Sequence, residues 1–142
     1  MLFGRKKRRI EKLLVVEDEP LVAFDNEHFL LEAGFTVVAT TDRVSDAVAE
    51  IASGKAIDLV LVDLALADGN GMDVARAAFA RAIPALYVTG NCPAEAQAFA
   101  SGCLSKPYQQ RDLLAAIDAI EAAQDGRTPK RMPTGLKLFE RA

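Results

Sequence analysis

Cysteine and histidine are scarce in this chain: 142 residues hold two cysteines, Cys92 and Cys103, and one histidine, His28. Two cysteines without a pattern exclude a disulfide framework and a cysteine-based metal site. His28 lies inside a helical stretch, where a surface or packing role fits better than a phosphohistidine relay. Long apolar runs are missing too. None approaches the roughly 18 residues that a membrane-spanning helix needs. The basic patch Arg5-Lys6-Lys7-Arg8-Arg9 is not followed by an apolar stretch long enough for a secretory signal. These absences point to a cytoplasmic protein with no membrane segment.

What is present is apolar substance and an uneven charge. About half of the chain, 51%, is hydrophobic, enough for one globular domain with a real core. The net charge of −3 divides into +5 for residues 1–12, +3 for residues 124–142 and −11 for the body between them. Basic ends could serve nucleic acid or anionic lipid. An acidic body repels phosphate backbones, however, and no nucleic-acid-binding motif accompanies the ends. The expected organisation is a basic flexible tail over 1–11, a folded domain over 12–123 and a second basic flexible tail over 124–142.

Within the body, strand-like and helix-like segments alternate five times. Strands are expected over 12–16, 35–39, 57–62, 84–88 and 103–104. Helices are expected over 20–33, 42–53, 72–81, 93–100 and 109–123. Pro20 suits a helix start and Gly34 a helix stop, with Asp42 or Ser45 as the N-cap of the second helix. Alternation of this kind implies right-handed βαβ units and a parallel sheet covered by helices on both faces. The fold class is α/β, a flavodoxin-like (βα)5 doubly wound parallel sheet with strand order 2-1-3-4-5. In that order the ends of strands 1 and 3 lie side by side.

Chemistry-bearing residues gather at those strand ends. Strand 1 runs into Glu17-Asp18, and the apolar strand Leu59-Val60-Leu61-Val62 ends on Asp63, ahead of the turn-rich Ala67-Asp68-Gly69-Asn70-Gly71. A carboxylate closing a strand buried on both faces is costly unless it serves a site. Three adjacent carboxylates would raise one another's pKa unless a cation sits among them, and Mg²⁺ prefers such hard oxygen ligands. Strand 4 ends in Thr89-Gly90 and strand 5 in Ser105-Lys106-Pro107, which adds a hydroxyl and an ammonium. An acid cluster, a central aspartate, a hydroxyl and a lysine meet the needs of phosphoryl transfer to a carboxylate. Gly69 and Gly71 lack the Gly-Lys-Ser/Thr ending of a phosphate-cradling loop, so turn chemistry ahead of a helix accounts for them.

In this order on successive strand ends, the residues Leu14-Val15-Val16-Glu17-Asp18, Leu59–Asp63, Val88-Thr89-Gly90 and Ser105-Lys106-Pro107 resemble the receiver domain of two-component response regulators, over roughly residues 12–123. The resemblance implies that Asp63 accepts a phosphoryl group from a histidine kinase or phosphotransfer protein. It implies Mg²⁺ held by Asp18, Asp63 and the backbone carbonyl of Ala65, with Glu17 acting mostly through water. Thr89 and Lys106 would engage the phosphoryl group. Three features depart from the common pattern. Cys103 stands where many receivers carry an aromatic switch residue, Ala67 replaces the usual proline, and the stretch from Thr89 to Lys106 is short, so the fourth helix must be stunted. With Ala85–Gly90, these features resemble the FATGY-motif receivers typical of alphaproteobacteria.

The first helix carries a second stripe, Leu21, Phe24, His28 and Leu31, beside its core positions. In receivers this helix docks the kinase or phosphotransfer protein; the rival reading packs the stripe under Leu136 and Phe139 of the C-terminal tail. Taken together, the sequence reads as a stand-alone, monomeric phosphorelay switch, signalling by contact with an unidentified downstream protein. The alternatives are a pseudo-receiver used only for binding and an Asp-nucleophile phosphatase or phosphotransferase. The latter wants a second aspartate at position 65, where this chain has alanine.

Overall fold

The computed structural model describes residues 9–139. Its parallel sheet is built by β1 (Lys12–Val16), β2 (Thr36–Thr41), β3 (Leu59–Asp63), β6 (Ala85–Thr89) and β7 (Gly102–Ser105). Two short strands, β4 (Ala65–Leu66) and β5 (Gly69–Asn70), form a hairpin outside it. The sheet order is β2-β1-β3-β6-β7-β8, where β8 (Leu136–Leu138) runs antiparallel to β7. The five parallel strands thus take the expected order 2-1-3-4-5.

Strand alternation divides the core into two layers. Leu13, Val15, Leu59, Leu61, Leu86 and Val88 face one side, packed with Leu30 of α1 (Pro20–Glu32) and Leu113, Ile117 and Ile120 of α4 (Gln110–Gln124). Leu14, Val16, Val60, Val62 and Tyr87 face the other, with Ile51 of α2 (Val44–Ala52) and Val74 and Ala78 of α3 (Gly71–Ala80). All five residues of β3 are buried, as a strand covered on both faces requires. The expected fourth helix is reduced to a 3-10 segment, Ala94–Phe99.

Several expectations are corrected. The C-terminal tail was expected to be flexible over 124–142, yet residues 136–138 add a strand to the sheet. The amphipathic alternation of Leu136, Lys137, Leu138 and Phe139 explains this: the leucines pack on the α1/α4 layer and Phe139 on the other. Gly102 makes the pairing possible, since a Cβ there would lie 2.8 Å from the Lys137 carbonyl oxygen. At the other end, Ile10 is buried, and the Arg9 amide donates to Glu121 (2.7 Å) while its guanidinium meets Asp125 (2.8 Å). The expected tail over 1–11 is therefore held from residue 9 onward; residues 1–8 and 140–142 lie outside the described residues.

The N-cap of α2 is also corrected. Neither Asp42 nor Ser45 caps it; the flanking residue is Arg43, with no side-chain cap. Instead Asp68, from the β4–β5 turn, accepts the Val44 amide at 2.6 Å and the Ser45 amide at 3.2 Å. A cap supplied from 24 residues away ties the loop after β3 to α2. Those amide donors, Val44 foremost, hold the Asp68 pKa below its ordinary 3.8. A carboxylate with a depressed folded pKa contributes stability present above the unfolded value and lost as pH falls through the folded one. Asp68→Ala should therefore melt lower than wild type at neutral pH and converge with it in acid below 3.8, as thermal unfolding at stepped pH will read.

Candidate functional site

The register of the sheet assembles the site. Val16 pairs with Val62, so Glu17 and Asp63 follow side by side at the ends of β1 and β3. Thr89 pairs with Ser105, which brings Lys106 to the same end of the sheet. The backbone closes round it: the Lys106 amide donates to the Thr89 carbonyl at 2.9 Å, and the Glu17 amide to the Thr41 carbonyl at 2.9 Å.

Glu17 and Asp63 are buried, at 2% and 7% exposure, and these two acids with Asn26 are the buried polar residues of the described core. The Lys106 ammonium bridges them, 2.9 Å from Asp63 Oδ2 and 3.3 Å from Glu17 Oε1. Glu17 Oε2 accepts the Glu19 amide at 3.1 Å, and Asp63 Oδ1 accepts the Ala65 amide at 3.1 Å. Burial pushes the Glu17 carboxyl above its ordinary 4.5, against the opposing pull of the Glu19 amide and the Lys106 charge. Burial alone would lower the Lys106 pKa, but its hydrogen bond to Asp63 and the charges of Glu17 and Asp63 outweigh that and hold it above 10.5.

Asp18 completes the acid group: ligand oxygens of Glu17, Asp18 and Asp63 lie within 4.8 Å of one another. Three carboxylates against one ammonium leave two negative charges in a largely buried corner. Hard oxygen donors with a surplus of two charges fit a small dication such as Mg²⁺. The Thr89 side chain makes its hydrogen bonds to Asn91. Its hydroxyl donates to the Asn91 carbonyl (3.2 Å) and accepts the Asn91 amide (3.4 Å), so it is turned into its own loop.

Sequence reasoning missed the tightest constraint. A Cβ at Gly71 would collide with the Asp63 carbonyl oxygen and come within 3.0 Å of the Asp63 carbonyl carbon and Leu64 Cα. The Gly71 amide also donates to the Leu64 carbonyl at 2.8 Å. Glycine is needed here because α3 starts directly against the backbone of Asp63, beyond what turn chemistry alone asks. A glycine that opens a helix straight after a charged strand end was the available signal.

Asn26, the polar position on the core side of α1, is explained by the Tyr108 hydroxyl, which donates to it at 3.2 Å. The outer stripe of α1 is open: Leu21 is 79%, Phe24 68% and Leu31 51% exposed. Phe24 stacks on His28 with ring centroids 6.3 Å apart, and His28 meets Glu32 at 3.6 Å. Leu136 and Phe139 pack on the sheet layers instead of on this stripe.

A doubly wound parallel sheet with acids, a hydroxyl and a lysine at its strand ends is the architecture of a signalling receiver. The family description "Response regulator receiver domain" matches residues 13–118, and the chain belongs to that family. It is similar to the phyllosphere-induced regulator PhyR of Methylorubrum extorquens, 31% identical over 116 residues, covering 75% of this chain and 42% of that protein. It is also similar to the cell cycle transcriptional regulator CtrA of Caulobacter vibrioides, 29% identical over 131 residues, covering 87% of this chain and 56% of that protein. The chain thus spans about half the length of the curated relatives it matches. Among solved structures, a response regulator receiver protein from Sinorhizobium medicae superposes with a TM-score of 0.70 at 27% identity, covering 82% of this chain and 98% of that one. Among the described residues no helix is long and apolar enough to cross a membrane.

Proposed function

We propose that Asp63 accepts a phosphoryl group from a phosphohistidine donor, a histidine kinase or phosphotransfer protein, and that the modified domain signals by contact with a further protein. The observation that carries this reading is the shared ion pair of Lys106 with Asp63 and Glu17 at the mouth of the acid cluster. A carboxylate oxygen of Asp63 attacks phosphorus in line, an O–P bond forms, and the P–N bond breaks with its electron pair left on the imidazole. Lys106, which now neutralises Asp63, moves its charge onto a phosphoryl oxygen as the carboxylate becomes an ester-like anhydride. Thr89 exchanges its bond to Asn91 for one to the phosphoryl group, which makes the loop after β6 the part that moves. Glu17, Asp18 and Asp63, with the Ala65 carbonyl, would hold Mg²⁺, which supplies further neutralisation of phosphoryl charge when bound.

Transfer without turnover separates this reading from its enzyme rival. Incubated with Mg²⁺ and a molar excess of acetyl phosphate, the protein should release inorganic phosphate slowly, limited by hydrolysis of its own acyl phosphate. Fast multiple turnover on outside phosphoesters would favour an Asp-nucleophile phosphatase, a role that Ala65 in place of a second aspartate disfavours. Failure to modify with any donor would favour a pseudo-receiver.

The kinase or phosphotransfer protein is proposed to dock on the α1 stripe of Leu21, Phe24, His28 and Leu31, the large apolar side chains of which face solvent. Phe24→Ala should slow transfer from the phosphorylated partner by roughly ten-fold, in the range of an interface anchor, and leave acetyl phosphate labelling unchanged. Equal slowing with both donors would remove α1 as the docking face. Assignment to the FATGY-motif subgroup and a monomeric state belong to the same proposal, supported by the Ala85–Gly90 stretch and by the 3-10 segment that stands for a fourth helix, and a cytoplasmic setting is proposed with them.

A further inference from the structure

We infer that the β4–β5 hairpin is a lever that reports the state of Asp63 at the first turn of α2, through the Asp68 carboxylate; what moves the lever rests on the proposed phosphoryl transfer. Its parts are joined by an unbroken run of contacts. The Ala65 amide donates to Asp63 Oδ1 at 3.1 Å. Ala65 pairs with Asn70 and Leu66 with Gly69, so Asp68 rides on the tight turn Ala67-Asp68 directly after the paired positions. At that tip, Asp68 accepts the Val44 amide at 2.6 Å and the Ser45 amide at 3.2 Å. The foot of the hairpin is fixed separately on α3. There the Gly71 amide donates to the Leu64 carbonyl at 2.8 Å, and Asn70 Oδ1 accepts the Met72 amide at 2.8 Å. A short hairpin held at its foot passes a displacement of Ala65 to its tip.

The tip has little slack, and α2 has no substitute cap. The Val44 contact is at the short end for a bond from an amide to a carboxylate. Arg43, which flanks α2, offers no side-chain cap, so the first amides of the helix depend on Asp68. A Cβ at Gly69 would touch Val44 Cγ2 at 3.4 Å, a second place at which the hairpin meets the start of α2. The acid site grips the same turn from its other side, because the Glu17 amide donates to the Thr41 carbonyl at 2.9 Å. Residues 42–45 are thus strung between two members of the acid group, and Asp42, Arg43 and Ser45 face solvent, where a partner can read them. When Asp63 takes a phosphoryl group, its negative charge passes from the carboxyl oxygens to the phosphoryl oxygens, which lie farther out. Whichever oxygen forms the O–P bond, the charge-assisted bond from Ala65 gives way to a neutral one of roughly half the strength. Ala65 follows the charge outwards, the hairpin turns about its foot, and Asp68 leaves the Val44 and Ser45 amides to water.

Amide exchange of the full chain, read residue by residue by NMR, tests the lever. With Mg²⁺ and an excess of acetyl phosphate, and with the adduct followed by intact mass on the same sample, exchange at Val44 and Ser45 should quicken roughly five-fold, the scale of one lost helix cap. Exchange at Met72, capped from the foot of the hairpin, should stay as it was. Asp68→Ala should show the faster exchange at Val44 and Ser45 before any phosphorylation, and no further rise after it. Asp63→Ala, which deletes the acceptor of the Ala65 amide, should show the same rise with no phosphoryl donor present. Phosphorylated wild type with unaltered or slower exchange at Val44 and Ser45 overturns the lever and leaves the phosphoryl reading standing. An equal rise at Met72 marks a general loosening and overturns it too, and a further rise in phosphorylated Asp68→Ala overturns the role of Asp68. If no adduct forms, the phosphoryl reading fails, and Asp63→Ala still decides the lever: exchange at the wild-type rate overturns it.

Discussion

Lys106→Met is expected to lower the stability of the metal-free protein at neutral pH by about 3 kcal/mol, the scale for removing one partner of a buried ion pair. The variant keeps the length of the side chain and deletes its charge, so Glu17 and Asp63 stay buried without their shared cation. The deficit should depend on pH with a defined sign. Glu17 has its folded pKa above 4.5, so the stability linked to it is fully present below 4.5 and is lost as pH rises through the folded value. Lys106 has its folded pKa above 10.5 because of the charges of Glu17 and Asp63, so while those carboxylates are ionised its contribution is full below 10.5, and it is lost as pH climbs through the folded value. The variant should therefore approach wild type in acid, fall furthest behind in the neutral range and draw level again in strong base. Mg²⁺ should return part of the lost stability, because a ligand of the folded state stabilises by mass action. Urea unfolding of both proteins at stepped pH, in chelator and in Mg²⁺, reads all of this. Equal midpoints at neutral pH in chelator would mean that Lys106 does not carry the charge balance.

Gly71→Ala should damage both the fold and the site. The added methyl would meet backbone atoms of Asp63 and Leu64, which have no rotamer by which to move aside. Forced overpacking of this kind costs about 2–3 kcal/mol. Relief must come from a shift of the β3 end or of the α3 start, and the β3 end carries Asp63. Misplacement of an attacking group by an ångström costs on the order of 100-fold in rate. Labelling by acetyl phosphate should fall by about that factor in Gly71→Ala, with the melting temperature lowered too. Gly90→Ala is the control: a Cβ there meets nothing within 4 Å, and Gly90 adjoins Thr89 in sequence. If Gly71→Ala labels and melts like wild type, the close approach of α3 to Asp63 has no functional weight.

The periodic elements were legible because burial on both faces writes itself into composition. Leu59–Val62 could hardly be anything but an inner strand, and once five such units alternate with helices the strand order follows. Asp63, Glu17, Asp18 and Lys106 were legible for the same reason: each follows an apolar strand whose end the topology brings to one edge. The rest depended on contacts distant in sequence. Asp68 caps α2 from across a loop, which no local capping rule can read. Residues 136–139 follow a stretch that looks like a tail by Pro129, Pro133 and its charge, yet their alternation matches the open edge of β7, a partner visible only once the sheet is built. Gly71 read as turn chemistry because its true constraint, the backbone of Asp63, lies eight residues back. Thr89 was placed correctly on its strand end, but its hydroxyl faces Asn91, a rotamer choice that sequence does not set.

The most direct test is the intact mass of the protein after incubation with acetyl phosphate, for wild type and Asp63→Asn, with Mg²⁺ or with chelator. The account predicts a gain of about 80 Da, one phosphoryl group, in wild type with Mg²⁺, strongly reduced in chelator and absent from Asp63→Asn. An adduct of equal yield in Asp63→Asn, or none in wild type with Mg²⁺ present, would contradict it.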